Sequence, residues 1–80
     1  IMVKDKIELG CVDPQVALDK IDAAFTDADS DKTDGLKLVW DNSWLHIRKS
    51  NTEPIIRIFV EAQSQNEVDA ILTDIKKVLL

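Results

Sequence analysis

The sequence predicts an α+β domain of two layers: a four-stranded antiparallel sheet with two helices packed on one face. Three observations predict it. Apolar residues alternate with polar ones in short runs between residues 36 and 61, the period of half-buried strands. Two other stretches, each behind a capping residue, carry apolar residues at helical spacing. The element order is strand, helix, hairpin, strand, helix, and two amphipathic helices need one apolar sheet face to bury against.

The first strand is expected at about 5–10, where Ile7 and Leu9 alternate with Lys6 and Glu8. The Lys4-Asp5-Lys6 run before it also suits a linker. Asp13-Pro14 then opens a helix over about 14–26. Asp13 can cap the free amides and Pro14 suits the first helical position. Ala17, Leu18, Ile21, Ala24, Phe25 and Ala28 form its apolar stripe. Thr26 to Gly35 is polar and acidic and reads as a surface loop. Asp27, Asp29 and Asp31 imitate half of a calcium loop. Lys32 and Leu38 stand where that loop needs Gly and a bidentate Glu, so a solvated acidic loop is the better reading.

Leu36 to Trp40 and Trp44 to Arg48 read as a hairpin around the turn Asp41-Asn42-Ser43. Ile55 to Glu61 is the next strand, with Ile56, Ile58 and Val60 on one face and Ile55, Arg57, Phe59 and Glu61 on the other. Pro54 is tolerated at its entry. Ser64 and Glu67 form a capping box for a last helix over 65–79, which carries Val68, Ile71, Leu72, Ile75, Val78 and Leu79 inward.

Size and charge bound the function. Eighty residues make one domain, 1–80. Such a chain buries roughly 60% of its unfolded surface. An apolar share of 45% and a charged share of 31% are those of a soluble globular domain. No apolar run approaches the roughly 20 residues that span a bilayer, so no membrane partner is expected. The first ten residues mix charge with apolar groups, unlike a secretory leader, and the opening on Ile1 fits a mature fragment or an excised domain. A net charge of -5 argues against a nucleic-acid partner. The single Cys11 excludes an internal disulfide and a multi-cysteine metal site, fits a cytoplasmic protein, and is expected to be a small buried or half-buried apolar group.

The chemistry concentrates in Arg48-Lys49-Ser50-Asn51-Thr52-Glu53-Pro54. A guanidinium, an ammonium, two hydroxyls and a carboxamide follow one another in five residues, and all can donate hydrogen bonds. His46 and Arg57 lie close in sequence. Such a loop suits a phosphate or carboxylate: the Arg48 fork takes two oxygens, Ser50 and Thr52 turn hydroxyls toward the others, and the Asn51 and Thr52 amides form a small concavity. The same residues also suit a plain polar connection, with Arg48 and Arg57 paired to Glu53 and Glu61. His46 reads as a solvent-facing strand histidine. Trp40 and Trp44 read as hairpin packing.

The run from Asp34 to Ala62 resembles the C-terminal domain of the α-D-phosphohexomutases, which comprise phosphoglucomutases, phosphomannomutases and phosphoglucosamine mutases. It carries an Asp-Gly pair, an aromatic-containing strand, R-x-S-N-T-E-P-x-x-R, and a strand ending in Glu61-Ala62. The resemblance implies an enzyme of four domains that moves a phosphoryl group between positions 1 and 6 of a hexose phosphate, with a phosphoserine and Mg²⁺. It implies that this last domain grips the phosphate not being transferred. Arg48, Ser50, Asn51 and Thr52 are then the gripping residues, with Lys49, Glu53 and Arg57 in support, Glu53 and Arg57 as an internal pair. Glucose or mannose phosphate is the expected ligand class and the upstream domains are the expected partners. The phosphoserine and the metal-binding aspartates are not in this sequence, so no catalytic or metal residue is assigned and the chain is expected to be inactive alone. Two other readings stand beside it, a phosphoglucosamine mutase domain and a standalone α+β interaction module without a phosphate ligand.

Overall fold

A computed structural model describes residues 1–50 and 52–79. Its elements are β1 (Met2–Glu8), α1 (Pro14–Ala24), β2 (Asp29–Asp31), β3 (Leu36–Val39), β4 (Trp44–Lys49), β5 (Ile55–Glu61) and α2 (Gln65–Leu79). The strands form one antiparallel sheet in the order β1-β5-β4-β3-β2.

The α+β class and the antiparallel sheet agree with the sequence reading, but the sheet has five strands, not four. The extra one is β2, inside the acidic loop, where Asp29, Ser30 and Asp31 pair with Val39, Leu38 and Lys37. All three residues are exposed. The strand is made by main-chain bonds to the free edge of β3, so no hydropathy pattern announces it.

β1 runs earlier than expected because Met2 to Glu8 pair along the whole of β5, from Glu61 back to Ile55. The Lys4-Asp5-Lys6 run is therefore strand and not linker. Helix α1 starts as foreseen: the Asp13 carboxylate accepts from the Gln15 amide at 2.8 Å, with Pro14 in the first turn. It ends at Ala24, before the expected residue 26, because Phe25 leaves helical geometry. The Phe25 ring sets its edge against Trp40, 5.7 Å between centroids.

The capping box of α2 is shifted by one residue. Ser64 Oγ accepts from the Glu67 amide, but the Glu67 carboxylate accepts from Gln63 instead of Ser64. Ala17, Leu18 and Ile21 of α1 and Val68 and Ile75 of α2 share one core with Leu36, Leu38, Leu45, Ile47, Ile56, Ile58 and Val60 of the sheet. Each buried Ile or Leu contributes roughly 1.5–3 kcal/mol of transfer free energy. Both helices thus cover one sheet face. The other face is open and carries Lys6, Arg57, Arg48 and Lys37 exposed. Cys11 is exposed as well, contrary to expectation, because it lies in the turn between Gly10 and the α1 cap and not on an apolar face.

Candidate functional site

The donor-rich loop sits where β4 hands over to β5. Its ends are fixed by the main chain. Ser50 N–H donates to the Ile55 carbonyl, Ile55 N–H donates to Glu53, and Leu9 N–H, just beyond β1, donates to Pro54 at 2.7 Å. Inside the loop the Ser50 hydroxyl oxygen accepts from the amides of Thr52 and Glu53, both at 3.3 Å. The Thr52 hydroxyl lies 3.4 Å from it. The Thr52 amide thus turns inward to Ser50, where an open concavity was expected. Asn51 lies outside the described residues.

Strand alternation sorts the basic groups. Arg48 shares the open face with His46 and stands opposite Arg57. Lys49 points the other way, toward the helices, and donates to Gln15 of α1 at 3.2 Å. Arg48 and Lys49 are therefore on opposite sides of the sheet, and Lys49 acts as a tie between the loop and α1.

The expected Glu53–Arg57 pair is not among the ion pairs of the described residues, nor is either arginine paired to Glu61. Glu53 and Arg57 line a shallow depression with Lys4, Lys6 and Phe59. The Glu61 carboxylate instead takes the Trp44 indole N–H at 2.8 Å, and Lys37 lies over the same indole, 5.5 Å from its centroid. Both tryptophans serve packing, Trp40 on the helix side with Phe25 and Trp44 on the open side.

Arg48 has a partner the sequence reading missed. Asp34 Oδ1 lies 3.5 Å from Arg48 Nη2. The Asp34 carbonyl also accepts from His46 Nε2 at 2.7 Å. A carbonyl can only accept, so Nε2 carries the proton. The turn is held in place by Gly35, which has φ +73° and packs against the Ile47 backbone. The Asp-Gly pair is visible in the sequence. Its place beside Arg48 follows only from the register Leu36 to Ile47.

Among the described residues no group of three or more His, Cys, Asp or Glu could hold a metal ion. In the acidic loop the Asp31 carboxylate accepts from the Thr33 amide at 2.9 Å, and hydrogen bonding by Thr33 holds its pKa below the usual value. No described helix is long and apolar enough to cross a membrane.

The family described as phosphoglucomutase/phosphomannomutase, C-terminal domain, matches residues 3–78. A phosphoglucomutase/phosphomannomutase of Thermococcus kodakarensis is 54% identical over 37 residues, which is 46% of this chain and 8% of that protein. A phosphomannomutase of Methanocaldococcus jannaschii is 30% identical over 67 residues, 84% of this chain and 15% of the relative. A phosphoglucosamine/phosphogalactosamine mutase of Sulfurisphaera tokodaii is 41% identical over 46 residues, 58% of this chain and 10% of the relative. The fold is shared with a phosphoglucomutase/phosphomannomutase family protein of Burkholderia thailandensis, at TM-score 0.68 and 24% identity, over 99% of this chain and 17% of that one. The aligned part of this chain thus spans between 8% and 15% of the length of these curated relatives.

Proposed function

This chain belongs to the phosphoglucomutase/phosphomannomutase C-terminal domain family, and on that premise we propose that it is the phosphate-gripping domain of a hexose phosphomutase. Loop 48–54 holds the phosphate of a hexose phosphate that is not being transferred. The observation that carries this is one loop end at which the Arg48 fork and the Ser50 and Thr52 hydroxyls follow each other on a backbone pinned at both sides. Charge-assisted bonds from a planar fork are about twice as strong as neutral ones and fit two phosphate oxygens. Asn51 joins the grip by its place in the motif. Glu53 braces the loop through its main chain, Lys49 braces it through Gln15, and Arg57 raises the local potential.

The transfer itself belongs to residues outside this chain, as do the phosphoserine and the Mg²⁺ that would assist it. The described residues offer no carboxylate cluster for such a metal. The upstream part of the same polypeptide is the partner. The chain is not active by itself.

The sugar is glucose or mannose phosphate on this reading. Phosphoglucosamine is the second reading, and relatives named for glucosamine phosphates favour it. Adding glucose 1,6-bisphosphate to the chain while recording amide NMR shifts tests the proposal. Shifts centred on residues 48–52 are expected, and they vanish in Arg48→Ala. Shifts spread elsewhere, or equal binding by Arg48→Ala, would remove the loop's assigned role.

A further inference from the structure

Arg48 stands between two neighbours of opposite sign. Its register partner on β5 is Arg57, so a second guanidinium faces it across the strands. From β3's entry Asp34 brings a carboxylate oxygen to 3.5 Å. That carboxylate is delivered by a braced turn, since the Asp34 carbonyl accepts a hydrogen bond from His46 Nε2 and Gly35 lies against the Ile47 carbonyl. Both side chains are open to water, 55% exposed for Arg48 and 67% for Asp34. An exposed pair of this kind is weak and opens easily.

We propose that Asp34 is the counter-ion of the empty grip. It holds the Arg48 fork while no phosphate is bound, turning it away from Arg57, and yields it when phosphate arrives. This rests on the reading of loop 48–54 as a phosphate site. A phosphate dianion on the fork lies beside the Asp34 carboxylate, and the two repel. Asp34 also orders the fork, but an exposed pair supplies little order. The repulsion against a double negative charge is the larger effect. Asp34 therefore weakens the grip and keeps it reversible, as a domain that must release its ligand requires.

The test is a titration of inorganic phosphate into the wild-type chain and Asp34→Asn, followed by amide and arginine side-chain NMR signals. Asp34→Asn is expected to bind roughly three- to tenfold tighter at low salt, the size of an exposed charge–charge effect. The ratio should fall toward one at about 1 M salt, where screening acts within ~3 Å. Melting temperatures without phosphate should match, which separates the charge effect from damage to the turn. Asp34→Ser, which removes the same charge, serves where Asp34→Asn does not fold. Equal or weaker binding by the variant, or a ratio indifferent to salt, overturns the inference. Wild-type binding at residues 48–52 with an unchanged Asp34→Asn sinks the inference alone. Wild-type shifts that avoid those residues sink the reading of the loop and the inference with it.

Discussion

Gly35 is where one missing atom decides a contact. Its φ of +73° is in the left-handed region, and a Cβ there would overlap the Ile47 carbonyl oxygen. The backbone term alone costs roughly 1–2 kcal/mol. The overlap adds to it, because a strand carbonyl inside a ladder cannot swing aside. Gly35→Ala is expected to lose at least about 2 kcal/mol in urea unfolding. A loss below about 0.5 kcal/mol, the range of an inert surface change, would show that the turn relaxes freely. The Asp22–Lys32 pair, at 2.8 Å, makes a second residue-level claim. The hydrogen bond from Lys32 holds the Asp22 carboxyl below its ordinary 3.8, against a smaller opposing effect of burial. A lowered carboxyl stabilises above its unfolded pKa and loses that as pH falls through the folded value. Lys32 is raised above 10.5, chiefly by the same bond, so its share is present below that pH and fades above it. Asp22→Asn should therefore lower the melting temperature at neutral pH, and the gap to wild type should close only as pH falls below 3.8 and through the lowered folded value. Parallel melting curves across that range would remove the pair from the acid response.

At the scale of elements, legibility followed burial. β3, β4, β5 and α2 were readable because one face of each is buried, which forces alternation or helical spacing into the sequence. β2 has no buried side chain, so nothing in its residues encodes it. The site shows the same division. Arg48, Ser50 and Thr52 stand out by residue type in one short run. Asp34 enters through pairing between strands, which local pattern does not carry. Lys49 was within reach of the sequence: in a strand, neighbours of Arg48 must face away from it, and period two alone separates the two cations. Caps were readable to within one residue. The α1 cap supports a direct test. Asp13→Ala removes the acceptor of the Gln15 amide and should cost about 1 kcal/mol of stability. Because Gln15 also receives Lys49, loosening that first turn should raise amide exchange at Ser50 as well. Exchange confined to α1 would mean the Lys49 tie does not couple helix to loop.

The whole molecule holds a contradiction between its net charge and its open face. The chain carries -5, yet Lys6, Arg57 and Arg48 stand directly opposite one another on three neighbouring strands. Like charges in that position are unfavourable by roughly 0.2–1 kcal/mol per pair. Among the described residues only Arg48 of the three has a carboxylate in ion-pair range. A row kept for folding would be interleaved with acids. A row kept to attract an anion need not be, and it lies at the end of the sheet where the loop begins. Folding and phosphate binding should then respond to the row with opposite signs. Arg57→Gln should leave stability equal or raise it by up to about 1 kcal/mol at low salt, while phosphate affinity falls a few-fold. Added salt should reproduce both trends in the wild type, since screening relieves the repulsion in the fold and weakens the attraction for the ligand. Urea unfolding and phosphate titration at two salt concentrations read the two signs separately. If Arg57→Gln loses stability, the row is braced by the fold and its charge is structural; if it gains stability while binding falls, the sheet gives up some stability to hold positive charge beside the loop.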